Sequence, residues 1–500
     1  MTIKIHEAAS LHENTLSFIH RERHKLLIGG VWVEARSGET FEVFDPATGD
    51  LLGHAAAAGE EDVAMAVAAA RAAFAPDSEW RRMTPQKRGE LLWKVADLIE
   101  ANARELAELD TLDNGKPYRN SLYGDVPQVV AHFRYYAGWT TKIEGSVPPV
   151  SVPNTLNYTR REPLGVCALI IPWNFPLLMA AWKLAPALAC GNTAILKPAE
   201  QTPLAALRLG ELMVEAGFPA GVVNILTGLG VPAGSALVDH PGVDKVSFTG
   251  STEVGKLIMR NASNNLTKVS LELGGKSPNV VFKDADMGKA VKGALWAVFG
   301  NTGQMCTAGS RLFVERPVYE QVVEQLSEAA GGIRVGHGWD KSHIGPVVSQ
   351  EQMERVLGYI DEGRSSGIEM HRGGGRLGER GYFVEPTIFS HDASGDDLRL
   401  IREEIFGPVV AVTPFDDWEE VVQRANHTEY GLAAGIWTSD LSKAHRLAEA
   451  LQAGTVWVNA YNLFDAASPF GGYKSSGFGR EMGKEAIDLY TQVKSVWVSY

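Results

Sequence analysis

Residues 165–198 read GVCALIIPWNFPLLMAAWKLAPALACGNTAILKP. A short apolar run, GVCALIIP, stops at a proline; a longer one, PLLMAAWKLAPALACG, closes on a glycine; TAILKP is short again. Buried strands are short and buried helices long, so this stretch predicts strand, helix, strand. The same alternation continues outward through TPLAALRLGELMVEAG, VVNILTG, VPAGSALVDH and VDKVSFTG. It predicts an α/β fold with a parallel sheet covered by helices, an architecture that binds nucleotides beyond the carboxyl ends of its strands.

A second alternating region runs from about Pro278 to Gly472, with VVFKDA, RLFVE, AVTPF and TVWVNA as strands and helices near 317–330 and 348–364. Upstream, a polar N-terminal arm precedes short strands that turn at Gly29-Gly30, Ser37-Gly38 and Thr48-Gly49. Helical spacing follows in EEDVAMAVAAARAAFA and in TPQKRGELLWKVADLIEANARELAEL, where Thr84 can cap and Pro85 fits the first turn. TLNYTRREP (155–163) and TQVKSVWVSY (491–500) are strand-like segments outside both units, sheet edges that need a partner in this chain or in another subunit.

The totals narrow the function. A chain of 500 residues exceeds what one hydrophobic core serves, so at least two domains are expected. Its formal charge of −13 repels a phosphate backbone, and no basic run with interleaved aromatics occurs, which excludes nucleic acid as the expected partner. The N-terminus has no apolar core of signal-peptide length, and no stretch reaches ~18 uninterrupted apolar residues, so a cytoplasmic protein without a membrane partner is expected. Three cysteines, Cys167, Cys190 and Cys306, give neither a disulfide framework nor a metal-ligand spacing. His337 and His343 read as a solvated turn, and no metal is expected.

Several glycine motifs compete as ligand sites. Gly228-Leu-Gly230-Val-Pro-Ala233 matches the dinucleotide fingerprint, but a tight turn without a ligand explains it equally well. FTGSTEVG (248–255) sets Gly250 and Ser251 between a strand and a helix, where free N–H groups and the helix dipole suit a pyrophosphate. LELGGKSP (271–278) resembles a P-loop but has Ser270 where glycine is required. RGGGRLGERG (372–381) reads as a mobile surface loop. Cys167 and Cys190 read as buried fillers, whereas Cys306, within NTGQMCTAGSR, has small hydrogen-bonding neighbours that admit another molecule.

The ordered set IPWNFP (171–176), ILKPAE (195–200), FTGSTEVG, LELGGKSP, GQMC (303–306), EEIFGPV (403–409) and PFGGYKSSGFGRE (469–481) closely resembles the NAD(P)-dependent aldehyde dehydrogenase superfamily. The resemblance implies a Rossmann-like NAD-binding domain (1–143 and 164–274), a second α/β catalytic domain (275–477) and an oligomerisation element (144–163 and 478–500), in a homodimer or homotetramer. It implies that Cys306 is the nucleophile, that Asn174 and the Cys306 N–H hold the oxyanion, and that Glu272 activates the water that hydrolyses the thioester. Glu481 and Lys183 match a pair that relays the proton onward, or else a structural ion pair. Thr302 stands where many relatives carry glutamine, with no expected effect on the chemistry.

For the cofactor, the resemblance places Lys197 and Glu200 on the adenosine ribose, Ser251 and Trp173 at the pyrophosphate, Glu404 and Phe406 at the nicotinamide ribose, and Gly230 and Val254 beside adenine. Ile171, Phe248, Gly250, Gly255 and Leu273 complete that set. A carboxylate at Glu200 repels a 2′-phosphate and so favours NAD over NADP. Phe175, Leu178, Met179 and Trp182 fall on one helical face, which the resemblance sets along the substrate tunnel opposite Met305, Thr307, Leu463, Phe464 and Phe470. Such a lining suits an aryl aldehyde such as phenylacetaldehyde, with medium-chain aliphatic and betaine-type aldehydes as alternatives. No arginine for a substrate carboxylate and no anion for a quaternary ammonium is evident. Glu272 argues against coenzyme A as the acyl acceptor, and the intact Cys306, Glu272 and Asn174 argue against a non-catalytic binding or structural role.

Overall fold

A computed structural model describes residues 10–500. The first sheet orders its strands as Val31–Val33, Leu26–Ile28, Val223–Ile225, Thr193–Lys197, Val166–Ile170, Lys245–Thr249, Lys268–Glu272 and Gly477–Phe478. The five from Val223–Ile225 to Lys268–Glu272 are mutually parallel, and taken in chain order they lie 3-2-1-4-5, the doubly wound arrangement; Leu26–Ile28 joins them antiparallel. Its order reverses between Val166–Ile170 and Lys245–Thr249, so the loops that leave these two strands diverge and open a crevice. Helix Pro176–Ala189, apolar except for Lys183, is buried along its whole length and packs on helix Val126–Ala137.

The second sheet runs Glu369–Arg372, Thr387–Ser390, Val409–Phe415, Arg311–Glu315, Pro278–Val281, Ala433–Trp437, Thr455–Val458, all parallel except the first. The chain crosses from one sheet to the other through Gly274-Gly275, between Glu272 and Pro278. A third, two-stranded sheet pairs Thr155–Pro163 with Thr491–Ser499 over nine residue pairs, so these two segments find their partner within the chain. Asn157 Nδ2 donates to Ser495 Oγ at 2.8 Å across it.

Local signals acted as their chemistry predicts. Thr84 Oγ1 accepts from the Lys87 N–H, Pro85 opens helix Pro85–Ala101, and Gly29, Gly30, Gly38 and Gly49 adopt positive φ in the strand turns. Three readings are corrected, and part of the polar arm proves to be structured. The helical run after Thr84 breaks at Asn102 into Pro85–Ala101 and Ala103–Asn114. Part of the N-terminal arm is ordered, because Thr15 Oγ1 in helix Glu13–Ile19 donates to the buried Glu108 carboxylate at 2.5 Å; residues 1–9 lie outside the described part. The glycine loop 372–381 is tied down, with Gly374 N donating to Thr387 Oγ1 at 2.9 Å and Arg376 bridging to Val384. His337 is buried, 3.4 Å from an Asp45 oxygen, and not in a solvated turn. Cys167 and Cys190 are buried fillers. Among the described residues no helix is long and apolar enough to cross a membrane.

Candidate functional site

Helix Met287–Phe299 ends in a turn in which Asn301, Thr302 and Gly303 take φ of 47°, 57° and 74°. Three left-handed residues in succession, one of them β-branched, form only where the surroundings impose them. Here Thr302 Oγ1 donates to Gly345 O at 3.0 Å, and Gln304 Oε1 accepts from the Val348 N–H at 2.9 Å. A Cβ at Gly303 would overlap the Gly407 carbonyl, and one at Gly275 would overlap the Cys306 carbonyl. The turn delivers Cys306, half-buried, to the wall of a cavity of about 540 Å³.

Asn174 leaves the switch-point strand Val166–Ile170 and meets this turn. Its Nδ2 donates to Gln304 O at 2.9 Å, while its own carbonyl accepts from Asn301 Nδ2 at 3.0 Å. An amide carries two N–H donors, so one remains for a ligand oxygen. Glu272, at the end of Lys268–Glu272, enters the same cavity with Oε2 buried and unpartnered. Glu481 also lines it, and its Oε1 takes an ion pair from Lys183, which lies behind the wall at 0% exposure.

Burial decides the charges. It pushes the Glu272 carboxyl well above the usual range, and the like charge of Glu481 adds to it against Lys183 and Arg480. It also pushes the Cys306 thiol up, helped by the charges of Glu404 and Glu272 and opposed by the Cys306 and Thr307 N–H groups. Both nearby charges are negative and so oppose ionisation of this thiol. Glu404, half-buried and accepting from the Gly275 N–H at 2.9 Å, rises to about 7, chiefly through loss of solvation at its carboxylate.

The crevice end of the cavity brings together Trp173, Gly250, Ser251, Leu273, Glu404 and Phe406. Ser251 caps helix Thr252–Ala262, its Oγ accepting from the Val254 N–H. Trp173 and Phe406 meet edge to face at 5.1 Å. Gly250 sits over the Phe248 ring and Gly255 against Leu273, where side chains would collide. Ile171 N bonds Lys197 O at 3.1 Å. The Lys197 amine is buried, which lowers its pKa, with Glu200 acting in the other direction. Gly230 and Val254 are exposed, and Val231 after Gly230 is extended at φ −119° and ψ 125°, so the dinucleotide fingerprint forms no cradle inside the crevice.

The opposite end is lined by Phe175, Leu178, Met179, Trp182, Met305, Thr307, Phe464 and Phe470. Trp182 lies 5.3 Å from Phe470 and 6.1 Å from Phe464. Leu463 is not among these residues: it is 67% exposed, and its carbonyl accepts from Trp457 Nε1. Sequence reasoning missed Asp125 and Gln128, which reach the cavity from the π turn Ser121–Asp125 and the helix after it. An anion is thus present after all, although Lys116 pairs with it at 2.6 Å. Asn462 was missed too; it accepts from Thr307 Oγ1 at 2.8 Å. Gln352 and Arg355 hold the carbonyls of Phe406 and Glu404 at 2.8 and 2.9 Å. None of these stands beside a motif in sequence, so no local signal marks them. The lining arginine, Arg355, lies with Glu404 and not at the aromatic end.

The profile of the aldehyde dehydrogenase family matches residues 32–496. The chain is 55% identical to the Bacillus subtilis protein DhaS over 476 residues, 95% of each chain. It is 50% identical to human retinal dehydrogenase 2, over 95% of this chain and 91% of that one. A Bacillus cereus aldehyde dehydrogenase solved as its NAD+ complex superposes with a TM-score of 0.96 at 51% identity, covering 100% of both chains.

Proposed function

The chain belongs to the aldehyde dehydrogenase family, an oxidoreductase acting on aldehydes with NAD, and from that premise we propose that it converts apolar aromatic aldehydes, phenylacetaldehyde among them, to their carboxylic acids. One observation carries the reading. Cys306, Asn174 and Glu272 converge on a single cavity whose far wall is Trp182, Phe464 and Phe470.

The residues at the crevice fit a dinucleotide. The switch point provides the opening, the capped N-terminus of helix Thr252–Ala262 faces it through Ser251, Thr249 Oγ1 is buried there without a partner, and Lys197 keeps only a 3.3 Å bond to Pro198 O. Ser251 and Trp173 would hold the pyrophosphate, Lys197 and Glu200 the adenosine ribose, and Glu404 and Phe406 the other ribose. When bound, NAD supplies the acceptor for the hydride that leaves the substrate carbon.

Cys306 attacks the aldehyde carbon as its thiolate. The free Asn174 N–H and the Cys306 N–H meet the oxygen on which charge develops. After oxidation the substrate is a thioester on Cys306, and Glu272, once ionised, draws the proton from the water that cleaves it. A carboxyl held above its usual range suits this step, because its conjugate base is stronger. Glu481, held by its ion pair with Lys183, takes that proton on in this reading. Asp125 is not a free anion for a cationic substrate, since Lys116 pairs with it at 2.6 Å while also reaching Asp110 at 3.4 Å.

The chain assembles as a homodimer or homotetramer in this reading, supported by the exposed Val493, Trp497 and Val498 on the two-stranded sheet. Specificity constants for phenylacetaldehyde, hexanal and betaine aldehyde test the substrate. Phenylacetaldehyde is expected to exceed hexanal by about 10-fold, and betaine aldehyde by more; a higher constant for betaine aldehyde refutes it. Aldehyde-dependent NADH formation is expected to fall by about 10³-fold or more in Cys306→Ser.

A further inference from the structure

Two neighbouring strands carry a line of buried polar side chains that the steps above leave unused. Lys245–Thr249 and Lys268–Glu272 pair in register, Ser247 beside Ser270 and Thr249 beside Glu272. Residues two apart share a face, so Lys245 and Ser247 rise together on one strand as Ser270 and Glu272 do on the other. Lys245 Nζ donates to Ser270 Oγ at 2.8 Å, Ser270 Oγ to Ser247 Oγ at 3.3 Å, and Ser247 Oγ to Glu481 Oε1 at 3.1 Å. Lys183 Nζ joins at Ser247 Oγ, 3.1 Å away. Lys245, Ser247, Ser270 and Glu481 are 1%, 0%, 2% and 2% exposed, so this chain of hydrogen bonds is shielded from bulk water.

We propose that Ser247 and Ser270 form a proton wire from the Glu272 and Glu481 carboxylates to Lys245, and that the Lys245 amine stores the proton released when the acyl-enzyme is hydrolysed. The inference rests on Glu272 acting as the base. Glu272 takes a proton from the attacking water while the new C–O bond forms, and passes it to Glu481. Glu481 then protonates Ser247 Oγ as the Ser247 proton moves to Ser270 and the Ser270 proton to the neutral amine. Each O–H bond broken is matched by one formed, two carboxylates and two hydroxyls are restored, and an ammonium remains. The donor directions in the structure, Lys245 to Ser270 to Ser247 to Glu481, are those such a passage leaves behind. The proton returns along the same wire after the acid product departs.

The surroundings of Lys245 suit a store that fills and empties. Burial pulls its ammonium down to about 8; Lys183 from helix Pro176–Ala189 and Lys268 on the adjacent strand push the same way, while Cys167 and Glu481 oppose, and the Tyr490 ring lies 5.5 Å away. The neutral amine therefore becomes available as pH rises through about 8.

Rapid-quench hydrolysis of the preformed acyl-enzyme, from about pH 6 to about pH 10, tests the wire. The wild type is expected to show a limb rising near pH 8. Ser247→Ala and Lys245→Met should each hydrolyse about 10-fold more slowly, lose that limb, and keep the burst of NADH from acylation. Ser247→Thr, which keeps a hydroxyl, should restore it. Because both changes cut one wire, the double variant should be no slower than either single one. Multiplied losses, burst and hydrolysis falling together, or a wild-type rate in Ser247→Ala each overturn the wire. If Glu272→Gln hydrolyses at the wild-type rate, the base assignment fails instead; if it blocks hydrolysis while Ser247→Ala does not slow it, the base stands and the wire falls.

Discussion

Asn174 spends one of its two amide protons on Gln304 O, which fixes where the other points. Asn174→Ala is expected to lower kcat by about 10²-fold with a smaller change in KM, because the lost donor acts on charge that develops only in the transition state. Cys306 carries the opposite lesson. Two carboxylates and burial raise its thiol, so thiolate should be scarce at neutral pH in the protein alone. Alkylation of Cys306 by iodoacetamide is accordingly expected to be slow at about pH 7 and still climbing at about pH 9; a plateau near neutrality would contradict the raised thiol. The identity of both residues is legible in IPWNFP and GQMC. Their electrostatics are not, because Glu404 lies about a hundred positions away in sequence.

Among the elements, the turn before Cys306 is strained, with Asn301, Thr302 and Gly303 all at positive φ. Thr302 pays for its left-handed backbone through Gly345, and Gly303 lies against the Gly407 carbonyl. Gly303→Ala should cost about 1–3 kcal/mol, visible as a lowered thermal midpoint, and should abolish turnover by displacing Cys306. Gly288→Ala, on helix Met287–Phe299 with only an Asp286 oxygen within 4 Å, should leave the midpoint unchanged or higher. Strand and helix order followed from apolar run length, and the Thr84 cap from residue type. The break at Asn102 and the π turn Ser121–Asp125 did not show in the pattern, because apolar periodicity continues across both and only packing makes the chain deviate. Asp125 and Gln128 were missed for that reason.

At the scale of the molecule, the sheet of Thr155–Pro163 and Thr491–Ser499 leaves Val493, Trp497 and Val498 exposed at 60%, 54% and 43%. A two-stranded sheet is marginal alone and presents open edges. Light scattering is expected to show a dimer or tetramer, and removal of residues 491–500 a smaller species or aggregation; an unchanged assembly would refute the role proposed for this sheet. The sequence by itself determined the alternation of strands and helices and the turns, because these depend on periodicity and residue type within a few positions, and its ordered motifs carry the resemblance that singles out Cys306, Asn174 and Glu272. Only the tertiary structure decided that Asn174, Glu272, Cys306 and Glu481 share one cavity, that Leu463 is exposed outside its lining, that His337 is buried, and that Lys245 connects to Glu481 through two serines. Those outcomes depend on burial and on contacts between segments far apart in the chain, and burial also sets the charges, so neither can be read from neighbours in sequence.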